Sequence, residues 1–284
     1  MALRIDTHTH SLCSDGTDTP GELVAKARVV GLDGIAITDH DTFDGWQEAA
    51  QAATRVGLLL IRGVEISCRV ECISVHLLGY LPDREAGQLQ QTFAAVHEAR
   101  QERMCEMVRR VGEDYAVSYA DVLEQVTEGA AIGRPHLADA LVAKGYFANR
   151  SEVFDRILGR DSKYYVPWVP PTPLEMVQQV VNAGGVPVLA HPRSAGRNRR
   201  FLSEEQLAEL ADSGLFGLEI SHREHGAQTR AELSEVAARL GLRPFGGSDY
   251  HGLGKPNLLG ENTTDERVID ELAERGAIAI LNRH

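Results

Sequence analysis

Short apolar runs alternate with longer amphipathic segments in the first and last parts of the chain. The apolar runs predict buried strands of a parallel sheet over residues 4–8, 34–38, 58–61 continued by 63–67, 72–80, 186–190, 217–220 and 277–281. The amphipathic segments predict helices over residues 19–31, 46–55, 174–182, 204–212, 227–240 and 266–275. This alternation of strand and helix is typical of a parallel α/β fold.

Residues 85–160 break this rhythm, because their apolar positions recur at helical spacing and predict no strand. A long helix is predicted over 88–111, followed by shorter ones over 119–128, 135–144 and 152–158. We interpret the segment as a helical insertion that forms a lid or subdomain. The predicted organisation is a first α/β part at 1–84, the insertion at 85–165 and a second α/β part at 166–284.

Composition and charge narrow the range of functions. The chain has 284 residues, of which 43% are hydrophobic and 25% are charged, as in one large globular domain or one domain with an insertion. The formal net charge of −12 argues against extended DNA binding, because a nucleic-acid track needs a basic stripe. A small anionic substrate is still compatible, because bound divalent ions and a few arginines reverse the sign locally.

Three further features predict a cytoplasmic protein with no membrane association. No apolar run approaches the roughly 20 residues that span a bilayer, and the first residues lack the pattern of a secretory signal. The four cysteines, Cys13, Cys68, Cys72 and Cys105, form no secreted disulfide framework. We therefore expect reduced thiols.

His8 and His10 are the first candidate metal ligands. They lie two residues apart on a predicted strand and so point to the same side, and Asp15 offers a carboxylate just beyond the strand end. Two histidines and an acid at this spacing suit a divalent metal ion. A pair of solvated loop histidines is the alternative.

Nearly every predicted strand carries a metal-competent side chain at its end. In chain order the set is His8, His10, Asp15, His40, Glu65, His76, His191, Asp249 and His251. The carboxyl ends of parallel barrel strands meet on one face, and burying so many unpaired polar groups is costly. The pattern therefore predicts a multinuclear metal site, from which we leave out Asp39 and Asp41 as turn acids.

The same residues carry a family resemblance. His8-x-His10 with Asp15, Thr38-Asp39-His40, Gly63-Val64-Glu65, His76, Ala190-His191-Pro192 and Ser248-Asp249-x-His251 resemble, in order, the motifs of the polymerase and histidinol phosphatase (PHP) family. The match covers both α/β parts, about three-quarters of the chain. It implies a distorted (β/α)7 barrel that holds two or three divalent metal ions, with manganese expected and iron or zinc as alternatives.

The resemblance also implies how the ligands are shared. The first metal ion would be held by His8, His10, Glu65 and Asp249, and the second by Glu65 as a bridge together with His76 and His191. The third would lie on Asp15, His40 and His251. Catalysis would depend on Glu65, His191 and Asp249, with a hydroxide between the bridged metals attacking the phosphoryl group.

Candidates for substrate binding come from the insertion and the second α/β part. Arg134, in Gly133-Arg134-Pro135-His136, suits bidentate phosphate contact, with a surface loop arginine as the alternative. The other candidates are His136, Lys163, Arg193 and His222. His222 is interpreted as a proton donor, a phosphate ligand or a plain loop histidine, and the basic run Arg197, Arg199 and Arg200 as a solvated loop face.

A Gly-Arg-Pro-His element within a helical insertion is similar to one branch of the PHP family. That branch includes nucleoside 3',5'-bisphosphate phosphatases and a 5'-to-3' exoribonuclease of short RNA. The resemblance implies a metal-dependent phosphoesterase for a small anionic nucleotide, which removes the 3'-phosphate of a bisphosphate such as pAp. The acidic net charge favours this small substrate over RNA.

Four alternatives stay open. The same chemistry would serve exonucleolytic cleavage of short 5'-phosphorylated oligonucleotides, whereas histidinol phosphate would leave the insertion without a role. A metal-dependent amidohydrolase also opens with His-x-His but has no place for Asp15 and a Glu65 bridge. A non-catalytic PHP module would have lost ligands, and here every motif is intact.

Overall fold

A computed structural model describes residues 3–126 and 132–283 of the chain. One mixed sheet contains seven strands in chain order. They are β1 (Ile5–Asp6), β2 (Gly34–Ile37), β3 (Leu59–Val70), β4 (Ile73–Tyr80), β5 (Val186–Leu189), β6 (Gly217–Ser221) and β7 (Arg243–Gly246). Within the described ranges, no helix is both long and apolar enough to cross a membrane.

Contacts between the first and last strands close the sheet into a barrel. Thr9, just after β1, forms a parallel bridge with Tyr250, just after β7, and the His10 amide donates to the Tyr250 carbonyl at 2.8 Å. The Thr7 hydroxyl donates to the carbonyl of Gly246 at 3.1 Å. The predicted distorted seven-stranded barrel is therefore confirmed.

One strand runs against the predicted parallel order. β4 is antiparallel to both β3 and β5. Only Glu71 and Cys72 separate β3 from β4, and so short a connection permits only a hairpin, because a parallel crossover needs a dozen or more residues. Glu71 takes a positive φ of 49° at this turn.

Ten α-helices are formed by the described residues. They are α1 (Pro20–Val29), α2 (Trp46–Val56), α3 (Gly87–Val111), α4 (Tyr119–Leu123), α5 (Arg134–Ala143), α6 (Arg150–Val153), α7 (Pro173–Asn182), α8 (Glu204–Asp212), α9 (Ala227–Leu240) and α10 (Glu266–Arg275). Local signals explain the accurate helix starts: at α1, Thr19 accepts from the Glu22 amide, and the Glu22 carboxylate accepts from the Thr19 amide.

Three predicted segments differ from the structure. The helix predicted over 119–128 ends at Leu123, and the rest of that prediction lies partly outside the described residues. The helix predicted over 152–158 becomes α6 followed by a π-helical turn, Phe154–Leu158. The strand predicted over 277–281 is wrong. The backbone amides of Ala277, Ile278 and Leu281 donate hydrogen bonds to three different segments of the chain, and only the bridge between Leu281 and Leu60 resembles sheet pairing.

The segment from the second half of α3 to α6 builds a hydrophobic core of its own. The second half of α3 contributes Met104, Met107 and Val111, which pack with Leu137 and Leu141 of α5. The first half of α3 instead places Phe93 in the core that surrounds the barrel. Helix α3 therefore connects the two packing units, and the 1–84, 85–165 and 166–284 division remains a prediction.

Candidate metal centre and adjoining cavity

The metal-competent side chains predicted from the motifs lie together at one end of the barrel. His8 and His10 follow β1, His40 follows β2, His191 follows β5, and Asp249 and His251 follow β7. Glu65 and His76 lie inside their strands rather than at the ends. The reason is that β3 and β4 extend beyond the barrel rim as a hairpin, in which His76 pairs with Ser67.

Glu65 lies at the middle of the cluster and is fully buried. Its Oε1 atom is 2.6 Å from Nδ1 of His76 and 2.9 Å from Nε2 of His191. Its Oε2 atom is 2.9 Å from Nε2 of His10 and 3.2 Å from Nε2 of His8. Oε2 also lies 3.3 Å from Nδ1 of His40. The two oxygens thus face different sets of histidines, which is the arrangement that a bridging carboxylate requires.

Two aspartates complete the cluster on either side of His10. Asp249 Oδ1 lies 3.4 Å from His10 Nε2 and 3.6 Å from His8 Nε2. Asp15 Oδ1 lies 3.1 Å from Nε2 of His251. The donor atoms form overlapping groups in which all ligand atoms lie within 4.8 Å of one another: His8, His10, Glu65 and Asp249; His10, Asp15, His40 and His251; His40, Glu65 and His76.

Several buried atoms of the cluster have no hydrogen-bond partner among the described residues. They are Asp15 Oδ1, His40 Nδ1, Glu65 Oε2, His222 Nε2, Asp249 Oδ1 and His251 Nε2. An unsatisfied buried polar group is costly, and here six of them face one another. A cation bound among them would satisfy them together, so the residues present fit divalent metal ions.

The outward-facing ring nitrogens set two of the histidines in the tautomer that a metal needs. His251 Nδ1 is 2.8 Å from the Asp249 carbonyl, which only accepts, so Nδ1 carries the hydrogen. Ser14 donates to Asp39 at 2.7 Å, and its hydroxyl oxygen faces His10 Nδ1 at 3.4 Å. Both Nε2 lone pairs are then directed into the cluster, as in metal-bound histidines.

The electrostatics of the cluster also favour a cation. Burial opposes ionisation of Glu65, but the neighbouring histidines His76, His40 and His8 hold its pKa well below the usual range. Burial likewise disfavours the charged form of His10, but contacts with Asp249 and Glu65 outweigh it and raise the pKa of His10 to about 9. Without a metal ion, these two acids thus retain a proton on His10 instead.

Two of the cluster residues adopt a strained backbone. His191 has a φ of 26° and Asp249 a φ of 53°, a left-handed region that residues other than glycine rarely occupy. Such outliers persist only where the surroundings enforce them, and they concentrate at functional sites.

A cavity of about 610 Å³ opens directly beside the cluster. Asp15, His40 and His76 form part of its wall. The basic residues that line it are Arg69, Arg100, Arg103, Arg134, Arg150, Arg160, Arg197 and Lys255, against the acidic residues Asp15, Asp155 and Glu224. In a chain of net charge −12, this concentration of positive charge indicates a site for an anionic ligand.

The predicted substrate residues occupy different positions relative to this cavity. Arg134 lines it, with its guanidinium 5.2 Å from the Phe154 ring centroid and 2.8 Å from the Leu158 carbonyl. His136 is buried behind it, where its Nδ1 accepts from the Gly133 amide at 3.1 Å and its Nε2 lies 3.2 Å from the Ser14 carbonyl. His136 therefore supports the loop that carries Asp15.

Lys163, Arg193 and His222 do not line the cavity. Lys163 is exposed and pairs with Asp114 at 2.6 Å. The Arg193 guanidinium lies over the Phe201 ring. His222 is buried at the metal cluster, with Nε2 3.8 Å from Asp249 Oδ2. The interpretation of His222 as a plain loop histidine does not fit this burial.

The interpretation of Arg197 as part of a solvated loop face is wrong. Its guanidinium donates to Asp249 Oδ2 at 3.0 Å and lies 3.1 Å from His76 Nδ1, while Arg199 stays exposed. Lys255 reaches the same Asp249 oxygen at 2.8 Å. No pattern within the basic run separates Arg197 from Arg199 and Arg200.

Comparison with known proteins agrees with this geometry. The model of the family described as "PHP domain" matches residues 6–164. A 5'-3' exoribonuclease of Haemophilus influenzae is 30% identical over 88% of this chain and 91% of its own. A 3',5'-nucleoside bisphosphate phosphatase of Chromobacterium violaceum is 30% identical over 88% of each chain. A phosphoribosyl 1,2-cyclic phosphate 1,2-diphosphodiesterase of Eggerthella lenta is 30% identical over 87% of this chain and 94% of its own.

A solved structure supports the same assignment. A Bifidobacterium adolescentis protein assigned to the metal-dependent phosphoesterases superposes with a TM-score of 0.95 and 45% sequence identity, and the alignment covers 98% of each chain. The family model spans more than half of this chain. The relatives of the chain include both a phosphatase and a phosphodiesterase. The chain therefore belongs to the PHP domain family and is a metal-dependent hydrolase of phosphoric esters.

Proposed function

We propose that this protein removes the 3'-phosphate of a nucleoside 3',5'-bisphosphate such as pAp. The scissile phosphate would lie at metal ions held by the acid–histidine cluster, and the second phosphate would lie in the basic cavity beside it. The observation that carries the proposal is a group of four cavity arginines, Arg69, Arg103, Arg134 and Arg160, that have no carboxylate partner among the described residues.

The four arginines already use part of their hydrogen-bonding capacity on carbonyl groups. Arg69 donates to Trp168, Arg103 to Val166, Arg134 to Leu158 and Arg160 to Cys72. These carbonyls orient the guanidinium groups but bring no negative charge to balance them. A phosphate would supply that charge and accept the remaining N–H groups.

Mutual repulsion supports the same interpretation. Burial, together with the nearby charges of Arg134, Arg100 and Arg69, lowers the pKa of Arg103 to about 10. Burial tends to raise the pKa of Tyr165, but the surrounding arginines outweigh it and lower that pKa. Uncompensated positive charge that shifts its neighbours in this way is typical of an anion-binding site.

For the metal ions we propose the division of ligands that the family resemblance implies. One ion would lie on His8, His10, Glu65 and Asp249, a second on Glu65, His76 and His191, and a third on Asp15, His40 and His251. Manganese is the metal expected at these sites. Ions held there would supply Lewis acidity, neutralising phosphate charge and acidifying a water molecule for in-line attack. Arg197 and Lys255, both on Asp249 Oδ2, would place further positive charge beside the reacting phosphoryl group.

Phosphate release from a panel of substrates tests the proposal. The panel contains pAp, 5'-AMP, histidinol phosphate, a 5'-phosphorylated trinucleotide and phosphoribosyl 1,2-cyclic phosphate, each with manganese and with a chelator. We expect fast, chelator-sensitive release from pAp that leaves 5'-AMP as an unreacted product. Equal rates on 5'-AMP and pAp would contradict it, because the arginine group would then contribute nothing.

A short RNA with a 5'-phosphate is the second candidate. The comparison favours it as strongly as the first, since the exoribonuclease and the bisphosphate phosphatase are both 30% identical to this chain. In that case the 5'-phosphate would occupy the arginine group and the first internucleotide phosphate the metal site. Mononucleotides released from the trinucleotide faster than phosphate from pAp would establish this function instead.

A further inference from the structure

Glu219 is a buried acid that none of the predicted motifs contains. It lies on β6, between the strands that precede His191 and Asp249, and it is fully shielded from solvent. Its Oε1 atom is 3.0 Å from Nδ1 of His8. Its Oε2 atom accepts from the backbone amide of His191 at 2.8 Å. One carboxylate therefore contacts two of the proposed metal ligands, from two different strands.

We infer that Glu219 is a positioning residue that prepares His8 and His191 to hold metal ions. The inference rests on the proposed function, because it assumes that these two histidines are ligands. A carboxylate only accepts, so it fixes the hydrogen of His8 on Nδ1 and leaves the Nε2 lone pair for a metal ion. His8 Nε2 points toward Glu65, 3.2 Å away, on the side opposite Glu219.

The geometry argues against Glu219 as a ligand itself. Glu219, His8 and His191 do lie close enough together to be considered as a metal-binding group. Both oxygens of Glu219 are already occupied by N–H donors, whereas Glu65 Oε2 and Asp249 Oδ1 have no hydrogen-bond partner among the described residues. The unsatisfied acceptors thus lie on the far side of the histidine rings.

The contact with His191 has a second consequence. His191 adopts a φ of 26°, which is unfavourable for a residue other than glycine. It also precedes Pro192, whose ring restricts the backbone conformation of the residue before it. An N–H bond to a buried carboxylate compensates for that conformation and directs the ring toward Glu65. Space around Glu219 is also restricted, because a Cβ atom at Gly247 would collide with Glu219 Oε1 and His8 Cβ.

Replacing the carboxylate by an amide separates this role from simple packing. In Glu219→Gln, the amide oxygen can accept from only one of the two N–H donors. The backbone amide of His191 cannot change its hydrogen, so the glutamine NH₂ faces His8 and forces the hydrogen of His8 onto Nε2. Glu219→Asp keeps both acceptors, and Glu235→Gln, at an exposed position of α9, is the matched control for the chemical change.

Two measurements test the inference. In calorimetric titrations with manganese(II) alone, we expect Glu219→Gln to lose about 10- to 100-fold in affinity at one site, Glu219→Asp to lose less and Glu235→Gln to match the wild type. In ¹⁵N-histidine-labelled, zinc-loaded protein, we expect the Nδ1–H resonance of His8 to disappear in Glu219→Gln. That of His251, which is bonded to the Asp249 carbonyl, should persist.

The outcomes separate this inference from the proposed function. Wild-type protein that binds no manganese would overturn both. Manganese binding by wild type and Glu219→Gln with equal affinity would overturn only the role of Glu219. Equal losses of manganese affinity in Glu219→Gln and Glu219→Asp would overturn the positioning role of Glu219 in favour of a general packing role. Loss of the His251 resonance together with that of His8 would do the same.

Discussion

Arg100 of the helical insertion forms a buried ion pair with Asp41 of the barrel, with Nη2 2.6 Å from Oδ2. Asp41 directly follows His40, has a φ of 54° and also accepts from the Ser67 amide at 2.8 Å. The Arg100 guanidinium lines the cavity and lies 5.2 Å from the ring centroid of Trp168. One side chain thus connects the insertion, the His40 loop and the cavity wall.

Removing the charge of Arg100 should therefore destabilise the protein. In Arg100→Met, Asp41 would be left buried without its partner, a change that typically costs about 3–5 kcal/mol. Differential scanning calorimetry or urea unfolding measures this loss. Arg109→Met, which removes exposed ion pairs to Glu106 and Glu113, is the control and should leave the stability unchanged. Equal stability of the two variants would contradict the structural role of Arg100.

Asp249→Asn should abolish turnover without unfolding the protein. Asparagine tolerates the left-handed φ of 53° at this position, but it loses the negative charge that faces His8 and His10. We expect kcat/KM to fall by more than about 100-fold, while the far-ultraviolet circular dichroism spectrum stays unchanged. Exposed Asp212→Asn, at the end of α8, should behave as wild type. Substantial activity in Asp249→Asn would contradict the proposed metal ligation.

Arg134 and Lys163 should differ sharply in their effect on substrate binding. Arg134 lines the cavity, so Arg134→Ala should raise KM for pAp by about 10- to 100-fold, as expected for the loss of a hydrogen bond to a charged group. Lys163 pairs with Asp114 on an exposed surface, so Lys163→Ala should change kcat/KM by less than about twofold. Steady-state kinetics on both variants measures this contrast. A similar loss of kcat/KM for pAp in the two variants would contradict the position assigned to the second phosphate.

Metal affinity should increase with pH. The pKa of His10 is about 9 in the metal-free protein, so below that pH a metal ion must displace a proton from the ring. The apparent manganese affinity of the site on His8 and His10 should then rise by at least about tenfold per pH unit between roughly pH 6.5 and 8.5, with at least one proton released at that site. Contacts with Glu219 and Glu65 outweigh burial and also raise the pKa of His8, so its proton competes in the same way. Calorimetry in buffers of different ionisation enthalpy counts the protons. An affinity independent of pH in this range would contradict competition at His10.

The sequence was most informative where the signal is local. Helix α1 could be placed because Thr19, Pro20 and Glu22 form a capping box and a first turn within four residues. The convergence of His8, His10 and Asp249 was predictable for a different reason, since each follows a buried strand and parallel strands end on a common face. Local propensity and strand direction are both encoded over short stretches of chain.

Residues that act across long separations were missed. Arg100 meets Asp41 across 59 positions, and Glu219 meets His8 across 211. Arg197 lies in a basic run that resembles a solvated loop, and only the path of that loop brings it to Asp249. No local pattern identifies these pairs, because each depends on how separate elements pack.

By itself, the amino-acid sequence determined the order of the seven sheet strands and of most helices, the set of metal-competent side chains and the family resemblance, because these depend on periodicity, capping and short motifs. Only the tertiary structure decided the antiparallel hairpin that places Glu65 and His76 inside their strands. It also decided which arginines surround the cavity and which acid orients His8. Those features arise when distant groups must share one buried volume and satisfy one another's charges and hydrogen bonds.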